Sequence, residues 1–377
     1  MDGAATAGGA GAKTITSSHS AGNPRIKIPG RKASSVRMRN FFGILLVLAA
    51  IVLIMQTSGC YHAPVRPVGQ EMQGLPGSPR ILADYQPWFG DPDHIKIGYS
   101  TQDPAVLRKQ VQKAKSMGIY AFAVDWYGER RPFEDRSYAL LQEVASEEHF
   151  HVCLMYDETQ EDNGHATDDA LEAFDKAYHG YIGPDAPGHE AYVTYEGRPI
   201  IFIFPKRGNT DWDRVRQAVS QWDHPPILIY KDDPPKQYAH DFDGYYAWIH
   251  PSHGWDPKGQ DWGKDYLEKF YDKMKDRPDK LVVGGIWPGF NDTKASWSLN
   301  RHMDRRCGQT FEDTLKLFHR YDDPEHPIPF LMIATWNDYE EGTQIETGVS
   351  DCHHDNRSVT SSEEGTGSAD SAAKPSS

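Results

Sequence analysis

Four cysteines in 377 residues are too few for a disulfide scaffold. Positive charge is also short: 40 Lys and Arg stand against 54 Asp and Glu, a net charge of −14. That excludes the broad cationic face of a general nucleic-acid binder, so no nucleic-acid partner is expected. No phosphate-cradling glycine loop, Gly-x-Ser-x-Gly elbow or Cys/His nucleophile arrangement is present. Asp91-Pro-Asp93-His94 and His353-His-Asp355 contain metal-ligand types, but neither spacing matches a closed or catalytic metal site. Neither a metal nor a cofactor is expected. Only one long apolar run exists, Phe41 to Met55, and it is shorter than the ~20 residues of a full membrane span.

That run sits in an unusual setting. Residues 1–40 are rich in Gly, Ala and Ser, then basic, with Lys13, Arg25, Lys27, Arg31, Lys32, Arg37 and Arg39 against Asp2 alone. Such a stretch cannot bury a core and reads as disordered. Basic residues before the run and Thr57-Ser-Gly-Cys60 after it resemble a bacterial lipoprotein signal over 41–60, with Cys60 as the lipidated residue. An uncleaved anchor of the same orientation is the alternative. Either way the remainder is expected outside the cytoplasm, held to a membrane on the periplasmic side or cell surface. Residues 61–79, with Pro64, Pro67, Pro76 and Pro79, form a linker. At the other end, 351–377 is polar, Ser-rich and expected to be disordered.

Between these ends, over 80–350, short apolar runs alternate with helical stretches. Strands are expected at Ile81–Tyr85, Ile119–Val124, His151–Met155, Pro199–Phe204, Ile227–Tyr230, Gly244–Ile249, Leu281–Ile286 and Phe330–Ala334. Helices are expected at Pro104–Met117, Tyr138–Glu148, Asp168–Tyr178, Trp212–Trp222, Trp262–Lys275 and Gln309–Tyr321. The strands are almost continuously apolar, as strands covered on both faces should be. Eight of them alternating with helices predict one α/β domain, a (β/α)8 TIM barrel. No helix pattern follows the eighth run, so the barrel is expected to lack a regular last helix. Cys307 and Cys352 fall on loops at the strand C-terminal face, where an exported chain can join them; Cys153, inside the third strand, reads as a packed thiol.

Chemistry concentrates after the eighth run, in Trp336-Asn-Asp-Tyr-Glu-Glu-Gly-Thr-Gln-Ile-Glu346. Carboxylates beside an aromatic at a strand's C-terminal end suit a sugar site, with acids to move protons and a ring face for stacking. Glu340 reads as a solvated loop residue, and Glu346 as either functional or holding the loop through an Arg.

Four motifs in order resemble glycoside hydrolase family 99 and its 71/99-like relatives, which include endo-acting α-mannosidases on a (β/α)8 barrel. Tyr85-Gln-Pro-Trp88 looks like the family's Tyr-Tyr-Pro-Trp-Tyr, and Val124-Asp-Trp-Tyr-Gly128 is similar to its Ser-Trp-Tyr-Gly. Pro288-Gly-Phe-Asn-Asp-Thr293 resembles Pro-Gly-Tyr-Asp-Asp-Thr, and Asn337-Asp-Tyr-Glu-Glu-Gly-Thr-Gln-Ile-Glu346 resembles Asn-Glu-Trp-x-Glu-Gly-Thr-x-Ile-Glu. The resemblance implies a glycoside hydrolase on α-linked glycans, α-mannan or similar, with an oligo- or polysaccharide substrate. It places the catalytic pair on Asp338 as base and Glu341 as acid, the base acting on the sugar's own 2-hydroxyl. Asp338 stands where the family has Glu. Family 71 α-1,3-glucanases carry a similar Trp-Asn-Asp-Tyr, so a glucanase is one alternative and a catalytically weak carbohydrate-binding lipoprotein another.

Strand-end position nominates the substrate contacts: Tyr85, Trp88, Asp125, Trp126, Tyr127, Tyr156, Trp248, His250, Asn291, Asp292, Trp336 and Asn337. Glu158, Lys206 and Lys231 are open between sugar contact and pairing within the protein. Nothing in the sequence sets the oligomeric state.

Overall fold

The computed structural model describes residues 78–158, 164–206, 209–325 and 327–352. The basic leader, the apolar run, Cys60, most of the linker and the tail beyond Cys352 lie outside the described residues. No helix among the described residues is long and apolar enough to cross a membrane.

Eight strands carry the fold: β1 (Arg80–Tyr85), β2 (Ala121–Trp126), β3 (His151–Asp157), β4 (Arg198–Phe204), β5 (Ile227–Lys231), β6 (Gly244–Tyr246), β7 (Leu281–Ile286) and β8 (Phe330–Ile333). All are parallel. Each pairs with its sequence neighbours, and β1 pairs with β8 in the register Arg80↔Phe330 to Ala83↔Ile333, which closes the ring. The chain is therefore a (β/α)8 barrel, as the alternation of apolar runs predicts. Its strands read as unbroken apolar runs because side chains of one parity fill the barrel while the other parity meets the helices.

The helices are α1 (Pro104–Ser116), α2 (Pro132–Glu147), α3 (Ala166–Ala177), α4 (Trp212–Val219), α5 (Lys264–Lys275) and α6 (Gln309–Tyr321). Helix α1 starts on Pro104 with Asp103 accepting the Ala105 N–H at 2.8 Å, which satisfies one of the free amides of the first turn. Helix α2 begins six residues before the expected Tyr138, because Pro132 can serve as its first residue. Strand β6 stops at Tyr246 rather than Ile249; the Trp248 amide hydrogen-bonds the Tyr266 hydroxyl at 3.0 Å instead of a neighbouring strand.

Residues 334–352 contain no helix, in line with the expected missing last helix. Arg305 secures this segment. Its guanidinium donates to the carbonyls of Gly342 (2.9 Å), Gln344 (2.7 Å), Gly348 (3.2 Å) and Val349 (3.3 Å). Cys307 and Cys352 form a disulfide with Cα atoms 5.0 Å apart, closing the end of the same segment. Of the two roles left open for Glu346, the structure shows it holding the loop, through Tyr99, Tyr339 and Gln110 (2.9 Å each) rather than an Arg. Cys153 is buried and unpaired.

Candidate active site

Because every strand points the same way, the residues that follow them gather at one end, around a cleft of ≈ 730 Å³. Its walls include Gln86, Trp88 and His94 after β1, Asp125 and Tyr127 at the end of β2, Asp157 at the end of β3, Lys206 after β4, Trp248 after β6, Trp297 after β7, and Asp338 and Glu341 after β8. Arg130, Arg131 and Glu134, at the start of α2, complete one side.

The β8 loop folds on itself to present its carboxylates. The Asp338 N–H donates to Thr335 Oγ1 (2.9 Å), and Asp338 Oδ1 accepts the N–H groups of Glu340 (2.9 Å) and Glu341 (2.8 Å). This side-chain turn requires the short Asp side chain to reach back to its own backbone. Gly342 follows in the left-handed region (φ +62°), a conformation open to glycine at no steric cost, and the Glu341 carbonyl accepts the Asn291 N–H at 2.6 Å. Glu341 Oε1 accepts the Trp297 indole N–H at 3.1 Å and lies 3.9 Å from the Arg301 guanidinium.

Burial raises the pKa of Asp338 well above the ordinary carboxylate range, and the neighbouring Glu341 adds to it. Burial likewise raises Glu341, against the lowering effect of the Trp297 N–H, Arg301 and Lys206. Asp84 and Asp125, on the barrel floor, are raised by burial first and by the other acids second. Lys206 forms an ion pair with Asp157 (3.0 Å). Lys231 lies with its ammonium over the Phe204 ring, 3.8 Å from the centroid, and burial lowers its pKa. A cluster of carboxyl groups whose pKa values are raised by burial and by one another can hold a proton in the cleft, which a general acid needs.

The nominated residues divide by position. Asp338, Glu341, Trp88, Asp125, Tyr127 and Trp248 line the cleft. The others lie elsewhere in the barrel. Tyr85 is buried with its hydroxyl on Gln110 (2.8 Å). Trp126 packs edge-on against Tyr181 and donates to Asp135 (3.0 Å). Tyr156 packs against Phe174 on the helix side. Trp336 is fully buried against Phe122. His250 stacks obliquely on Tyr266 and contacts the Pro251 carbonyl (2.6 Å). Asn291 caps the turn at Thr293, and Asp292 accepts from Ser298, Leu299 and Arg301 to knot the β7 loop. Asn337 is buried against the Gln86 backbone. In each case side-chain direction along the strand or turn, invisible in linear spacing, sends the group into the core or the loop.

Sequence reading missed Gln86, His94, Arg130, Arg131, Glu134, Asp157 and Trp297, among others, as lining residues. Asp157 carried the same signal as Asp125, a carboxylate ending a strand. Trp297 and His94 carried none, since each sits mid-loop and reaches the cleft only through tertiary folding. Glu340, expected in solvent, is 2% exposed.

The profile of Glycosyl hydrolase family 99 matches residues 92–362. Among solved structures, the GH99 endo-alpha-mannosidase from Bacteroides thetaiotaomicron, in complex with BIS-TRIS-propane, has 19% identity and a TM-score of 0.54, over 71% of this chain and 86% of that one. A structure described as a glycoside hydrolase-like protein has 12% identity and a TM-score of 0.50, over 72% and 88%. Among curated proteins none matches. At such identities the structural likeness speaks for the barrel; the profile match, spanning most of the chain, establishes that this glycoside hydrolase belongs to glycosyl hydrolase family 99.

Proposed function

We propose that the cleft hydrolyses α-linked glycans, with mannose-containing polymers as the first class to test, and that Asp338 and Glu341 carry the reaction. The observation behind this reading is the placement of two carboxyl groups, Asp338 buried and Glu341 partly buried, both with raised pKa, on one loop between Trp88, Trp248 and Trp297. Trp248 and Trp297 offer ring surface to sugars, and the acids offer one donor and one acceptor of protons.

In the route the family resemblance implies, Asp338, whose burial favours the protonated form, acts once ionised: it takes the proton of the sugar 2-hydroxyl as that oxygen bonds to the anomeric carbon. The bond to the leaving oxygen breaks, and Glu341 gives its proton to that oxygen. Water then opens the strained intermediate with the two roles reversed. Asp338 is roughly one C–C bond, about 1.5 Å, shorter in reach than the family's Glu. Its carboxylate is anchored by two backbone N–H groups, and the loop conformation sets how far it enters the cleft.

The test is product release from α-mannans and α-glucans by the full chain beside Asp338→Asn and Glu341→Gln. Cleavage of one glycan, lost in both variants, is expected. Undiminished cleavage by either variant removes that residue from the pair, and cleavage confined to α-1,3-glucan replaces the mannan assignment. The same reading takes the enzyme as exported and held to a membrane through Cys60 or the apolar run before it; Cys60→Ser releasing none of the protein from the membrane fraction would leave the apolar run as the anchor.

A further inference from the structure

Glu340 is a carboxylate with 2% exposure and no Lys or Arg in contact among the described residues. A buried charge without hydrogen bonds is strongly destabilising, so its two oxygens need partners. Both come from the loop after β1. His94 Nδ1 lies 2.8 Å from Oε2, and the Ile95 N–H donates to Oε1 at 3.1 Å. The backbone N–H of Glu340 is in turn one of the two that hold Asp338 Oδ1. His94 is itself fixed by a parallel stack on Trp88, with centroids 4.8 Å apart and 11° between planes, and both rings line the cleft.

We propose that His94 and Glu340 form a positioning pair that sets the Asp338 carboxylate against the aromatic wall of the cleft. The inference rests on Asp338 being a reacting group, as argued above. One connection runs from Trp88 through the His94 ring and the Glu340 side chain to the Glu340 amide and Asp338. It joins loops 246 residues apart in sequence and makes the ring wall and the carboxylate one rigid unit. A sugar stacked on that wall would then meet the carboxylate at a set distance. The anchoring amide of Glu341 remains if Glu340 loses its partners, so the expected failure is a displaced carboxylate rather than a lost one.

The experiment compares Glu340→Ala, Glu340→Gln and His94→Phe with the double variant His94→Phe/Glu340→Ala in the full chain. His94→Phe keeps a flat ring against Trp88 and removes only the polar contact. Glu340→Gln keeps an acceptor for the Ile95 N–H. Displacements near 1 Å cost about a hundredfold, so each disruptive single variant is expected to lower kcat about 10- to 100-fold with KM within about threefold. The double variant should fall no further than the worse single, and Glu340→Gln should retain about a third of kcat, because the pair acts as one unit. Effects that multiply in the double variant, or kcat within twofold of wild type in both singles, overturn the proposal. Crystal structures of Glu340→Ala and His94→Phe supply the second readout: an Asp338 carboxylate that has not moved in either overturns the pairing whether or not a substrate is known. Wild-type protein that cleaves nothing would instead strike at the proposed reaction, while a shifted Asp338 in the variants would still establish the positioning.

Discussion

Asn337 and Gln86 exchange two hydrogen bonds across the closure of the barrel. The Gln86 N–H donates to Asn337 Oδ1 at 2.7 Å, and Asn337 Nδ2 donates to the Gln86 carbonyl at 3.0 Å. The side chain of one loop thus replaces a strand neighbour for the backbone of the other. Beside it the Trp336 N–H donates to the Asp84 carbonyl at 2.6 Å, so the first and last strands stay registered beyond their ladder.

Asn337→Ala leaves a buried N–H and a buried C=O without partners, each worth about 1–3 kcal/mol. A loss of about 3 kcal/mol in urea unfolding is expected, with kcat lowered and KM little changed, since Asn337 does not line the cleft. Unchanged stability would mean that water replaces both contacts.

Asp84→Asn is expected to stabilise the protein at neutral pH. Asp84 Oδ2 accepts from Gln86 at 2.6 Å, while Oδ1 is buried with no hydrogen-bond partner. Burial and four acids raise its folded pKa, so the fold prefers the neutral form. Stability tied to such a group is greatest below the unfolded value of 3.8 and is lost as pH rises toward the folded value. The amide keeps the bond to Gln86 without the charge, for a gain of about 1–3 kcal/mol. Thermal melts of both proteins from acid to neutral pH should converge at the acid end.

Trp297→Phe removes the N–H that stabilises the ionised form of Glu341. The Glu341 pKa should rise further, so the alkaline limb of the activity profile moves to higher pH. Lys206→Met should move it the same way, because the ammonium also favours ionised Glu341. A downward shift in either variant would assign that limb to another group.

Cys352→Ser opens a disulfide that spans 45 residues. Loop-closure entropy for such a span is about 4 kcal/mol. Among the described residues no helix follows the segment carrying Asp338 and Glu341, so limited proteolysis of the variant should cut first between residues 342 and 352. An unchanged digestion pattern would place the whole restraint on Arg305.

Much was legible in the order of residues. Burial on both faces makes parallel barrel strands read as apolar runs, and each run is followed by its loop, so the barrel and the site-bearing end could be read directly. Asp338 and Glu341 fall on one loop, and local spacing carries them to one place. That no helix follows β8 among the described residues was legible for the same reason, since helices announce themselves by local periodicity.

Tertiary structure decided what lies between those loops. Glu340 looks solvent-bound in sequence because its partners, His94 and Ile95, lie at the other end of the barrel chain. Trp126 and Trp336 look like sugar platforms, yet strand pleat turns Trp126, and the bend after β8 turns Trp336, into the core, while Trp297 and His94 arrive at the cleft from mid-loop positions. Local order determined the strands, the helices and the carboxylate-bearing loop after β8, because periodicity and turn chemistry act over a few residues. Which side chains meet at the site was set by barrel closure, because contacts between the first and last strands depend on the register of the whole ring.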